Sequence, residues 1–143
     1  MMSDTSAEVQ AYVAALSRVQ LRALQGLPQL NSRLAQIVQY VRAGRMSRSG
    51  FIEDSSIEYA VHGNGCLFVT EDGWEVDVDF LPDGRSAFDA WRIQRFSASR
   101  GVVLRAPQDQ LTQECRRLAH SGQLEERGVG WFAVKAEQPS DGR

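Results

Sequence analysis

The hydrophobic period changes once along the chain, from about 3.6 residues in the N-terminal part to 2 over residues 57–80, and this switch constrains the fold most. Three strands are expected there, Ile57 to His62, Cys66 to Glu71 and Trp74 to Phe80, separated by Gly63-Asn64-Gly65 and Asp72-Gly73. Asp72-Gly73 reads as a two-residue type I′ turn, which sets Val69 across from Val76 and Leu67 across from Val78. For the first turn, a three-residue loop with Gly65 at a left-handed bulge position is preferred. It gathers Ile57, Tyr59, Val61, Leu67, Val69, Val76 and Val78 on one face. The other face then carries His62, Cys66 and Asp79 in one row, with Ala60, Phe68 and Asp77 in the next.

Helical spacing precedes the strands. Val9, Tyr12, Val13, Leu16, Val19, Ala23 and Leu24 recur at three- and four-residue steps, with Thr5 and Glu8 as a capping box and a stop near Gly26 and Pro28. A second helix is expected after Asn31 or Ser32, through Leu34, Ile37, Val38 and Val41 to Gly44. The two would form a helical hairpin, and residues 45–56 a polar linker. Beyond the turn Pro82-Asp83-Gly84, a short helix is expected over Ser86–Phe96, with Phe88 and Trp91 as core anchors. A further helix opens at Pro107, buries Leu111, Cys115, Leu118 and Ala119, and ends at Gly122. Val129 to Val134 reads as a final strand and the residues from about Gln138 as a frayed tail. The expectation is one α+β domain over 1–143, an N-terminal helical hairpin and further helices packed on a small, mainly antiparallel sheet.

Charge narrows the function classes. The net charge of −2 removes the general attraction that drives nucleic-acid binding. Residues 51–89 hold ten carboxylates against one arginine, between basic ends. Neither a secretory leader nor an apolar run long enough for a membrane span is read from the sequence, so a cytoplasmic, soluble chain is expected. Cys66 and Cys115 lack a Cys-x-x-Cys partner and are expected as reduced thiols. Gly63-x-Gly65 lacks the third glycine and the Lys-Ser/Thr pair of a phosphate loop, and no cofactor is expected. Arg42, Arg45 and Arg48 lack interleaved aromatics and read as a solvated helix end.

Two chemical readings attach to the expected polar row. His62, Cys66 and Asp79 are the ingredients of an activated thiol, with nucleophile, base and orienting carboxylate. His62, Asp77 and Asp79 are types that hold divalent ions, although alternation alone puts Glu75, Asp77 and Asp79 on one face, and no metal is expected. His120, at a helix C-terminus, needs no functional explanation. Asp89, three residues after Ser86, completes a capping box, and Arg92 is placed to reach a strand carboxylate such as Asp79, closing a helix onto the sheet.

His62-Gly63-Asn64-Gly65-Cys66, Asp77-Val78-Asp79-Phe80 and Phe88-Asp89-Ala90-Trp91-Arg92 together resemble an uncharacterised family of small bacterial proteins. Its members show His-Gly-x-Gly-Cys, Asp-Phe-Asp-Phe and Gly-Phe-Asp-x-Trp-Arg-Leu; the match spans about residues 57–96 and departs at Val78, Ala87 and Ile93. Members are often encoded near polymorphic or contact-delivered toxins. The resemblance therefore implies an immunity protein that binds a cognate toxin or effector, not an enzyme; the charge and the lack of a long apolar run lead to no nucleic-acid and no membrane partner being expected. On that reading Glu58, Phe68, Glu71, Asp72, Trp74, Glu75, Asp77 and Asp83 are the candidate contact residues, and Asp89, Trp91 and Arg92 a structural motif. The alternatives are a small cysteine- or metal-assisted hydrolase built on His62, Cys66 and Asp79, and an interaction domain of some other pathway.

Overall fold

The computed structural model describes residues 4–26 (23–26 as backbone), 34–52, 55–105 and 107–134. In chain order the elements are α1 (Asp4–Gly26), α2 (Gln36–Arg42), β1 (Ser49–Phe51), β2 (Glu58–His62), β3 (Gly65–Val69), β4 (Glu75–Phe80), β5 (Ser86–Ala87), α3 (Ala90–Ser99), α4 (Gln108–His120), β6 (Leu124–Glu126) and β7 (Phe132–Val134). Strands β1 to β5 form an antiparallel sheet in sequence order, and β6 and β7 pair separately. The class is α+β, as expected. Among the described residues no helix is long and apolar enough to cross a membrane.

Helix α1 buries Val9, Tyr12, Leu16 and Val19, the stripe its period announces. Thr5 already lies inside the helix, and the Glu8 carboxylate accepts from Ser97 Oγ (2.7 Å) and Arg100 Nη1 (2.7 Å), so it serves as a latch between α1 and α3 instead of a capping partner. Helix α1 packs against α3 and α4, whereas α2 lies on β2; each has a different principal neighbour. The expected start of the second helix at Asn31 or Ser32, Pro28, the side chains of Ala23 and Leu24, and the tail from Gln138 lie outside the described residues.

The register corrects both turns. Val69 pairs with Glu75 and Leu67 with Asp77, so the second loop has three residues, Glu71-Asp72-Gly73. The Gly73 amide donates to the Thr70 carbonyl (2.8 Å), Gly73 takes φ +84°, and the Thr70 amide closes on the Trp74 carbonyl (3.0 Å), the geometry of a turn followed by a left-handed bulge residue. His62 pairs with Gly65, so the first loop has two residues, Gly63-Asn64. The two one-residue differences cancel between β2 and β4: His62 and Asp79 do share a row, as expected. Only β3 is inverted, with Cys66 and Phe68 inward and Leu67 and Val69 outward.

One hydrophobic cluster, from Val9 to Val134, joins the helices to both sheets. On the sheet it takes Tyr59, Val61, Cys66, Phe68, Val76 and Val78. Burying an aromatic such as Phe68 or Phe88 contributes about 1.5–3 kcal/mol. Tyr12 packs between Phe88, tilted at 4.7 Å, and Phe96, edge-on at 5.5 Å, and donates its hydroxyl to the Asp77 carbonyl (2.5 Å). The Glu75 amide donates to Ser99 Oγ (2.9 Å), and β5 covers Asp79 and Phe80, so α1, α3 and β5 close the β4 edge that would otherwise expose backbone groups.

Two strands arise where a linker or loop is expected. Ser49-Gly50-Phe51 joins β2 within the polar linker, with the Tyr59 hydroxyl donating to the Ser47 carbonyl (2.9 Å) to hold the approach. β6 pairs with β7, whose Phe132 exchanges backbone hydrogen bonds with Phe88 (2.8 and 2.9 Å). Helix α3 starts later than expected, at Ala90, because Asp89 is itself the N-cap and accepts from the Arg92 amide (3.2 Å). Trp91 stands 48% exposed and is no core anchor; Trp74 instead packs edge-on against Phe96 at 5.9 Å.

Candidate functional site

The three motif segments converge. The His62 ring reaches across β3 to a residue two strands away, its Nε2 lying 2.6 Å from Asp77 Oδ1. Gly65 stands between His62 and Asp79 in the same row, and its missing side chain leaves the room for this reach. A Cβ at position 65 would meet the Val78 carbonyl oxygen and lie 2.6 Å from Asp79 Oδ1, so the Asp79 carboxylate itself leans over the glycine. Gly63 takes φ +51°, which the tight turn requires of it. The Asn64 side chain accepts from Arg42 Nη2 (2.9 Å) and its carbonyl from the Phe80 amide (3.0 Å), tying the turn to α2 and β4.

Arg92 completes the cluster from α3. Its Nε lies 3.3 Å from Asp77 Oδ2, its Nη2 3.8 Å from Asp79 Oδ1 and its Nη1 3.1 Å from Asp89 Oδ1. The expected contact with Asp79 is present, and Asp77 and Asp89 are added to it. The Trp131 ring lies 4.9 Å from the guanidinium, shielding it from water. The Asp77 side chain is only 2% exposed, His62 is 47% exposed and Asp79 41%. Asp77 is thus an internal anchor, and the groups the cluster presents to solvent are the His62 imidazole, the Asp79 carboxylate and, less, that of Asp89.

Cys66 takes no part. It lies on the opposite face, buried in the core, its Sγ 3.7 Å from the Leu67 carbonyl, and burial pushes its thiol up to about 12. The row His62-Cys66-Asp79 is therefore not formed, because the two-residue first loop turns Cys66 inward. Burial also pushes Cys115 up to about 12. Among the described residues no group of three or more His, Cys, Asp or Glu side chains is placed to hold a metal ion. A guanidinium lies where a cation would meet the Asp77 and Asp79 carboxylates.

The candidate contact residues divide. Phe68, expected as a contact residue on the polar face, is fully buried, and Trp74 is half-buried beneath Arg100 (4.7 Å). Glu75 pairs with Arg95 (2.7 Å) and Asp83 with Arg127 (2.8 Å). Glu58, Glu71 and Asp72 are exposed and have no ion-pair partner among the described residues. Sequence reasoning missed Phe51, 62% exposed beside Glu58, because nothing in a polar linker signals an edge strand. A separate groove of about 480 Å³ between α1 and the β3–β4 turn is lined by Arg18, Arg22, Ser56, Glu71 and Asp72, and by no residue of the cluster.

No curated protein and no solved structure matches the chain. A family model described as a domain of unknown function (DUF6896) matches residues 6–135, which takes in α1 from Ser6, the other three helices, both sheets and the whole polar cluster. The chain belongs to the DUF6896 family.

Proposed function

We propose that this protein is an immunity protein, acting in the cytoplasm, that binds and neutralises a cognate bacterial toxin of the polymorphic or type VI secreted kind by protein–protein contact. The observation that carries this reading is the charge left over after internal pairing. Glu75, Asp77, Asp79, Asp83 and Asp89 are engaged by arginines, whereas Glu58, Glu71 and Asp72 stand exposed at one end of the β2–β3–β4 unit, near Phe51. Free carboxylates steer a basic partner and raise its association rate, while an exposed aromatic beside them supplies the apolar contact that slows dissociation. Binding asks for no nucleophile, and Cys66 does not offer one. The test is co-expression with the product of a neighbouring gene that by itself arrests growth. Wild type is expected to restore growth and to co-purify with the toxin, and a Glu58→Lys/Glu71→Lys/Asp72→Lys variant with an unchanged melting temperature to lose most of that protection. Protection without any complex overturns the reading.

A further inference from the structure

The sheet has two faces, and the hydrophobic cluster with α1, α2 and α3 draws on only one of them. The antiparallel register puts Phe51, Glu58, Val69 and Glu75 in one outward row, Ser49, Ala60, Leu67 and Asp77 in the next, and His62, Gly65 and Asp79 in the third. Phe51 is exposed and Ala60, Leu67 and Val69 are half-buried, so the face has an apolar centre open to solvent. A row of outward apolar residues across several strands is the surface that helices cover in other α+β proteins. Strands β1 to β4, spaced about 4.8 Å apart, make a face roughly 14 Å wide, enough for one helix about 10 Å in diameter.

Charge selects the occupant. Glu58, Glu75, Asp77 and Asp79 stand on this face and Glu71 and Asp72 at its end, while the guanidiniums beside it, Arg92 and Arg95, are already held by carboxylates. Trp91, 48% exposed on α3 with Arg95 5.8 Å from its ring, extends the apolar surface past β4. We infer that the outer face of the sheet, centred on Phe51, Leu67 and Val69, is the docking surface for a basic amphipathic helix of the partner protein. Its apolar side lies on those residues, and its lysines or arginines meet Glu58, Glu71 and Asp72. This deepens the proposed binding role and rests on it.

The experiment is a backbone-amide NMR titration of the whole protein with a Leu/Lys amphipathic helical peptide and, separately, with its Leu/Glu counterpart. The Leu/Lys peptide is expected to shift Phe51, Glu58, Ala60, Leu67, Val69 and Asp72. Its affinity should fall by about tenfold or more in a Phe51→Ser/Glu58→Lys variant, and should be unchanged in Leu21→Ser, which alters an exposed apolar residue of α1, the helix packed on the other face of the sheet. The wild-type shift map stands whether or not the variant folds. Equal binding of the Leu/Glu peptide, shifts confined to the groove at Arg18, Arg22 and Ser56, no shifts at all, or a dimer that a Phe51→Glu change dissociates would each overturn the assignment. Full toxin protection by a folded Phe51→Ser/Glu58→Lys variant overturns this surface and leaves the binding role standing. Peptide docking on this face with no toxin neutralised leaves the surface standing and removes the toxin.

Discussion

Gly65 lies so close beneath Asp79 that a Cβ at position 65 would come within 2.6 Å of the Asp79 carboxylate and would also strike the Val78 backbone. Gly65→Ala must move β4 or expel Asp79 from its place near Arg92. A loss of about 1–3 kcal/mol in denaturant unfolding is expected. Gly50→Ala is the control: its Cβ would meet the Tyr59 ring at 3.5 Å, an ordinary contact, and stability should change little.

Glu8 and Arg100 fasten α1 to α3, with Ser97 Oγ as a third member of the latch. Glu8→Ala leaves a largely buried guanidinium without its carboxylate, and about 3 kcal/mol of stability should be lost. Because the double variant Glu8→Ala/Arg100→Ala removes both charges, it should lose clearly less than the sum of the single changes; a double-mutant cycle by urea unfolding checks this.

Both thiols are buried and pushed up to about 12. In the native protein at pH 8 neither should react with a disulfide reagent on the time scale of a free thiol, and both should react at once in denaturant. A thiol raised in the folded state holds its proton more tightly there than in the unfolded chain. The stability this contributes is present below about pH 8.5 and is lost as pH rises through about 12. Burial raises the Tyr12 hydroxyl as well, so the alkaline loss should be steep in a pH series of unfolding midpoints.

Glu126 behaves in the opposite sense. Hydrogen bonds from Arg116 and from the Gly130 amide hold its carboxyl down at about 2. A carboxyl lowered by folding contributes stability above its unfolded value near 4.3, and that contribution disappears as pH falls through about 2. Glu126→Gln should flatten the acid limb of the stability curve between those values, and Arg116→Ala should flatten it partly, since the Gly130 amide remains.

Local chemistry was enough to identify much of this molecule. The apolar stripe of α1, the glycine stops at Gly44 and Gly122, the outward alternation of Glu75, Asp77 and Asp79, and the reach of Arg92 to a strand carboxylate all follow from residue type and spacing along one element. The faces of β2 and β4 were legible, because each alternates clearly between apolar and polar residues, but the His62–Asp79 row agreed only because two one-residue differences in the turns cancel. What local pattern could not determine was the face of β3. Cys66-Leu67-Phe68-Val69 is apolar at every position, so either face could turn inward, and only the fit of Gly65 against Asp79 and of Phe68 within the core decides it. The same holds for Trp91 outside and Trp74 inside, and for β1, a strand that exists because β2 offers it an edge. The polar cluster and the open outer face both depend on that one inversion. They were therefore properties of the packed sheet, and the strands taken singly do not contain them.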